Sequence, residues 1–167
     1  MKIRLAGEIE ESIVDGPGIR YVVFTQGCPH HCNGCHNPET HDFNQGTLVD
    51  VDVLIEKMKK YPYMSGLTVS GGEPFVQSSA VLELIRAYQV LYPKKNVLLF
   101  TGYTYEELRA LHQVETDEIL FRADYLIDGR FILSKRDISL VYRGSTNQRI
   151  IDLQATKDKG SIVEKIF

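Results

Sequence analysis

Cys28, Cys32 and Cys35 are the only cysteines of the chain, and all three lie within the run CPHHCNGC. A C-x3-C-x2-C spacing supplies three thiolates where a metal centre ordinarily takes four ligands. A loop this short would hold three corners of an iron–sulfur cubane and leave one iron for a ligand that is not protein. An open coordination position marks a catalytic metal site rather than a closed structural one. The odd number of thiols also argues against a disulfide framework. Four histidines crowd the motif, His30, His31, His36 and His41. A Cys3His structural zinc site therefore competes, as do redox-sensing or inert thiols. Common structural zinc patterns pair two C-x2-C knuckles, or one knuckle with H-x3-5-H, and no second cysteine pair exists here. The spacing favours an iron–sulfur cluster.

Three further motifs have chemical readings beside plain structural ones. Ser70-Gly71-Gly72-Glu73-Pro74 is a strand end where two glycines let a ligand reach the backbone. Its carbonyls, with the Glu73 carboxylate, would suit an ammonium group; the same residues also make a tight turn with a structural proline. Asp15-Gly16-Pro17-Gly18 is a turn signal first and a site second. Arg20, just after it, would sit on a carboxylate or simply at a strand edge. Asp128, at another strand end, would ligate a cation or a hydroxyl, or satisfy turn amides.

These motifs need elements to position them. Tyr21–Thr25, Leu67–Val69, Val97–Phe100 and Tyr125–Ile127 read as strands. Between them, Asp50 or Asp52 caps a helix running to about Lys60, with Val51, Leu54, Ile55 and Met58 at helical spacing. Ser78 or Ser79 caps a second, with Val81, Leu82, Leu84, Ile85 and Tyr88 facing the sheet. A third starts at Thr104, where Glu107 completes a capping box. Leu140 to Leu153 adds at least one more strand. Alternation of strands and helices implies an α/β fold, a mostly parallel sheet covered by helices. A curled, incomplete (β/α) barrel is the preferred architecture, and an open doubly wound sheet the alternative. The cysteine loop follows the first of these strands, SGGEP the second, Thr101-Gly102-Tyr103 the third and Asp128-Gly129 the fourth. Loops after parallel strands gather on one face, where ligands bind. Every unusual motif therefore converges on one site.

With 167 residues, 43% of them hydrophobic, residues 1–167 are expected to form one domain with a substantial core. A complete eightfold barrel typically needs about 250 residues. The N-terminus MKIRLAGEIEESI has no apolar h-region, so it does not read as a signal peptide. Apolar runs such as Val97–Phe100 are too short to span a membrane. A cytoplasmic protein is expected, and clustered thiolates fit a reducing compartment. The net charge of −3 gives no general reason to bind nucleic acid. From Ser134 onward seven basic residues face four acidic ones, against twelve and eighteen before it. Such asymmetry is ordinarily solvated surface, but it would also orient a protein partner.

DGPGIR, TQGCPHHCNGCHNPET, SGGEP, TGY, DYLIDGRF and YRGSTNQRI, in this order and over about Ile13 to Asp152, resemble the anaerobic ribonucleotide-reductase activating proteins. These form a branch of the radical S-adenosylmethionine superfamily, whose incomplete barrel is the fold the resemblance implies. It implies that Cys28, Cys32 and Cys35 hold a [4Fe–4S] cluster whose fourth iron takes the amino and carboxylate groups of S-adenosylmethionine. Reductive cleavage then yields methionine and a 5′-deoxyadenosyl radical, which takes hydrogen from a glycine near the C-terminus of the reductase's large subunit. The partners implied are that subunit and a low-potential electron donor such as flavodoxin. By the same resemblance, the backbone of Gly34, Cys35 and His36 lies beside the adenine, and Gly71, Gly72 and Glu73 receive the methionine ammonium. Thr101 and Asp128 line the site. Asp15, Gly16, Pro17, Gly18 and Arg20 form the turn near the mouth where the target loop enters. Many superfamily members carry an aromatic residue where Gly34 stands, packing on the adenine; His36 would supply a flat face instead. Lys135, Arg136, Arg143 and Arg149 are candidates for docking the partner. An activase of another glycyl-radical enzyme, of the formate-lyase class, shares the motifs but not the RGSTNQR ending. A non-catalytic, zinc-stabilised binding module is the reading of another class, and it leaves SGGEP and the shared face unexplained.

Overall fold

The structure is a computed structural model describing residues 1–167. Its strands are β1 (Lys2–Ser12), β2 (Arg20–Thr25), β3 (Thr47–Asp50), β4 (Gly66–Gly71), β5 (Asn96–Phe100), β6 (Tyr125–Asp128) and β7 (Arg149–Asp152). Together they form one seven-stranded sheet ordered β3–β1–β2–β4–β5–β6–β7. The middle of the sheet, β2, β4, β5 and β6, is parallel. β1 pairs antiparallel with β2 and β3, and β7 pairs antiparallel with β6. The first and last strands of the order do not pair, so the sheet is an open, incomplete barrel.

Parallel neighbours need long crossovers, supplied here by α1 (Val51–Met58), α2 (Ser78–Leu91), and α3 (Tyr105–Ala110) with α4 (Val114–Arg122); α5 (Leu153–Lys159) follows β7. Successive side chains of a strand point to opposite faces. Val23, Leu67, Val69, Val97, Leu99 and Leu126 are buried in the core with Leu54 and Met58 of α1 and Leu84 and Ile85 of α2. The alternate set gives a smaller cluster, Leu98, Ile127 and Ile150, packed by Phe100, Tyr125 and Tyr142. Both faces are therefore apolar, which is why the parallel strands read as continuous hydrophobic runs.

The helix starts follow local chemistry. Asp50 is the cap of α1, its carboxylate accepting from the Asp52 backbone N–H at 3.1 Å. Thr104 and Glu107 form the expected capping box at α3, with both hydrogen bonds at 3.1 Å. The start of α2 differs from expectation. Neither Ser78 nor Ser79 caps it; a 3₁₀ turn over Pro74–Gln77 runs straight into the helix, and the Ser78 hydroxyl donates to the Phe75 carbonyl at 2.8 Å.

Four elements carried no assignment from sequence: β1, β3, α4 and α5. In β1, Ile3 and Leu5 are buried while Lys2 and Ala6 are exposed, the period-two pattern of a half-covered strand. β7 falls within the segment expected to hold a further strand. Residues Val163 and Lys165 pair with it, the Asp152 N–H donating to Val163 and the Lys165 N–H to Ile150, which covers this sheet edge. No helix is long and apolar enough to cross a membrane.

Candidate active site at the ends of the parallel strands

The loop after β2 is held from both sides before its first cysteine. The Gly27 N–H donates to Thr40 O at 2.7 Å and the Cys28 N–H to His41 O at 3.2 Å. From the next strand end, the Gly72 N–H donates to Thr25 O and the Glu73 N–H to Gly27 O, both at 2.8 Å. The buried Gln26 amide donates to the carbonyls of Glu39 (2.9 Å) and Asp42 (2.7 Å). The loop then turns on itself, with the Cys35 N–H on Cys32 O at 3.1 Å. Gly34 has φ +77°, a left-handed conformation that glycine adopts without penalty.

All three thiols are free, and all three line one cavity of about 660 Å³. Burial pushes the Cys28 thiol pKa up, against the lowering effect of the nearby His30 and His31 backbone N–H groups. The Asn37 N–H donates to the Cys35 sulfur at 3.4 Å. Hydrogen bonds of this kind favour thiolate and tune an iron–sulfur centre. No three or more His, Cys, Asp or Glu side chains gather around one ion position. A mononuclear zinc site needs that gathering, whereas a cubane spreads three thiolates over three irons. The histidines are engaged elsewhere: His30 on Glu73, His31 against His41 with ring centroids 4.9 Å apart, and His36 against Phe131 at 5.3 Å. The donor set thus fits a cluster better than Cys3His zinc.

Of the residues singled out from sequence, Asp15, His36, Gly71, Gly72 and Thr101 line the same cavity as the cysteines. Gly34 stands just behind it, where a Cβ would lie 3.0 Å from Leu133 and 3.3 Å from Phe131. Phe131 itself lines the cavity. Glu73 does not: it is fully buried, and its carboxylate accepts from His30 Nε2 (2.7 Å), Thr101 Oγ1 (2.9 Å), the Gly102 N–H (2.8 Å) and the Phe75 N–H (3.0 Å).

Asp128 and Arg20 are likewise committed. The Asp128 carboxylate accepts from the Tyr105 N–H at 2.8 Å and from Arg149 at 3.1 and 2.5 Å. Asp128, then Glu106, push the Arg149 pKa up. Arg20 is fully buried and donates to Thr68 Oγ1, Pro17 O, Leu67 O and both oxygens of Asn96. Burial lowers its pKa to about 10. It fastens the Asp15–Gly18 turn to the starts of β4 and β5, and no carboxylate meets it. The same turn is held by Thr68 Oγ1, which donates to Asp15 O at 2.9 Å, and the Asp15 side chain accepts from Ser12 Oγ at 2.5 Å. Gly16, Pro17 and Gly18 shape this turn without lining the cavity.

The site also holds residues that sequence reasoning passed over. Phe24, Phe100 and Ile127 form its floor, and Tyr142 enters it with φ +59°, rare for a bulky residue. Alternation along β2, β5 and β6 carried the signal for the floor; Phe131 and Tyr142 lie in the DYLIDGRF and YRGSTNQRI runs, but nothing in those runs points their side chains to the site.

A family described as a 4Fe-4S single cluster domain matches residues 14–151. The anaerobic ribonucleoside-triphosphate reductase-activating protein of Vibrio cholerae is 38% identical over 144 residues, covering 83% of this chain and 90% of that one. The protein of that name in Escherichia coli K12 is 34% identical over 148 residues, covering 85% and 94%. This chain belongs to that family. Its phage T4 member is 33% identical over 141 residues, covering 82% of this chain and 86% of its own. Among solved structures, QueE from Escherichia coli superposes with a TM-score of 0.51 at 16% identity, covering 62% of this chain and 54% of that one. That likeness is one of fold. Cys28, Cys32 and Cys35, all free, lie within the stretch that this 4Fe-4S single cluster domain matches.

Proposed function

We propose that this chain activates anaerobic ribonucleoside-triphosphate reductase by radical S-adenosylmethionine chemistry. The observation that carries the reading is the gathering of three free cysteines, Gly71-Gly72 and Thr101 on one cavity, at the ends of the parallel strands of an activating-protein chain. When bound, the reduced cluster supplies one electron to the sulfonium of S-adenosylmethionine, giving methionine and a 5′-deoxyadenosyl radical that takes a glycine Cα hydrogen and leaves a glycyl radical.

The chain's own residues bind, orient and exclude water. Cys28, Cys32 and Cys35 hold three irons. The backbone at Gly71 and Gly72 receives the methionine ammonium; a Cβ at either would collide with the Thr25 or Gly27 backbone, so the glycines let the neighbouring strand ends close up at the cavity wall. Glu73 contributes from behind, by fixing Thr101 and Gly102. The Gly34–His36 backbone flanks the adenine, and the Phe131 and His36 rings supply its aromatic wall. Asp128 acts through Arg149, holding the RGSTNQR turn on the end of β6. The apolar floor of Phe24, Phe100 and Ile127 keeps water from a radical that any solvent-borne hydrogen donor would quench.

Ile9, Val14 and Asp15 line the cavity beside the open edge of the site. There the C-terminal glycine loop of the reductase's large subunit enters, past the turn fastened by Arg20. A low-potential donor such as flavodoxin reduces the cluster, in the cytoplasm. Reconstituted protein given dithionite and S-adenosylmethionine without oxygen should release 5′-deoxyadenosine. Replacing any one of Cys28, Cys32 or Cys35 by Ala should abolish it; one fully active variant would remove that residue from the ligand set.

A further inference from the structure

Glu73 and His30 form the most enclosed polar group of the site, and cofactor binding uses neither side chain. His30 belongs to the cysteine loop, two residues from both Cys28 and Cys32. Its Nε2 lies 2.7 Å from Glu73 Oε1, with the two side chains 5% and 0% exposed. The ring packs edge-on against Tyr103, centroids 4.6 Å apart. A Cβ on Gly102 would fall on the His30 ring, so glycine is required there for the approach. Glu73 in turn gathers the Gly102 and Phe75 N–H groups and the Thr101 hydroxyl. One carboxylate therefore joins the cysteine loop, the end of β5 and the turn after Gly71-Gly72. His30 is also the point where this group reaches the metal donors, since Cys28 and Cys32 stand two residues to either side of it.

We propose that His30 is a positioning residue that latches the cluster-holding loop to Glu73, so that the loop is set before the cluster arrives and holds it more firmly. The proposal rests on the cluster assignment above only for its second consequence; the first is a property of the metal-free chain. Partners behind a metal ligand are commonly worth 10- to 100-fold in metal affinity.

The test compares His30→Leu, which removes the donor, with His30→Gln, whose amide can still donate to Glu73. In metal-free protein, hydrogen exchange should quicken about tenfold in His30→Leu across residues 27–36 and at the Gly102 amide. His30→Gln should restore protection. In reconstituted protein, His30→Leu should lose iron to a chelator about tenfold faster, and His30→Gln should again restore retention. Unchanged exchange and unchanged iron loss in His30→Leu would overturn the latch. Failure of His30→Gln to restore either would overturn it as well, by reducing His30 to a packing residue. If the wild-type protein held no cluster, the cluster assignment would fall while the metal-free exchange still decided the latch.

Discussion

Gly34 precedes the third cysteine at a position where many radical S-adenosylmethionine proteins carry an aromatic residue. In this chain Leu133 and Phe131 border the space that a Gly34 side chain would take, and the Phe131 ring sits 5.3 Å from that of His36. These two rings are the aromatic wall proposed for the adenine. A single base–aromatic contact is worth ~1–3 kcal/mol, and ~1.4 kcal/mol is a tenfold change in affinity. Phe131→Ala should therefore raise the dissociation constant of S-adenosylmethionine about tenfold in reconstituted protein, with a smaller rise for His36→Ala. Unchanged affinity in both variants would place the adenine elsewhere. That the three cysteines share one cavity was legible because all of them lie in the loop after a parallel strand. Glu73 was legible as part of the site but not in its role. A carboxylate after two glycines reads as a ligand, and only the fold shows it turned under the strand end, with both oxygens taken.

At the scale of elements, helix starts and strand ends decide where the motifs fall. The first turn of α3 is bound to β6 and β7 by the Asp128–Arg149 pair and by Arg149 on Glu106 at 2.5 Å. Asp128 is 1% exposed, so removing its partner leaves a buried carboxylate short of donors. Breaking such a pair typically costs about 3 kcal/mol. Arg149→Gln should lower unfolding stability by about that amount in urea titrations, with the midpoint rather than the slope changing. A loss under about 0.5 kcal/mol would mark the pair as a solvated contact. The capping box at Thr104 was readable because both partners are local. β1 was not, because its alternating charged and apolar residues pair with β2 and β3 through contacts remote in sequence. The start of α2 misled for a related reason: a preceding 3₁₀ turn did what a serine cap would have done.

Across the whole molecule, the parallel strands deliver four loops to one end of an open sheet, and the cysteines, Gly71-Gly72 and Thr101 meet there. That convergence was legible from the order of strands and motifs, since parallel topology fixes which loops share a face. On the antiparallel flanks, β7 falls where a further strand was expected, but β1 and β3 were not legible, because no motif marks them. Of the basic residues considered for docking, Arg149 is committed to Asp128 and Glu106, while Lys135 and Arg136 remain exposed and Arg143 lines the cavity. The sheet is open on one side, and the proposed entry of a reductase loop there is tested by what happens to that loop. The most direct measurement is anaerobic EPR of the reductase's large subunit incubated with the reconstituted activating protein, reductant and S-adenosylmethionine. The account predicts a glycyl radical doublet that requires all three cysteines and appears together with 5′-deoxyadenosine. Formation of 5′-deoxyadenosine with no glycyl signal on the reductase would contradict it.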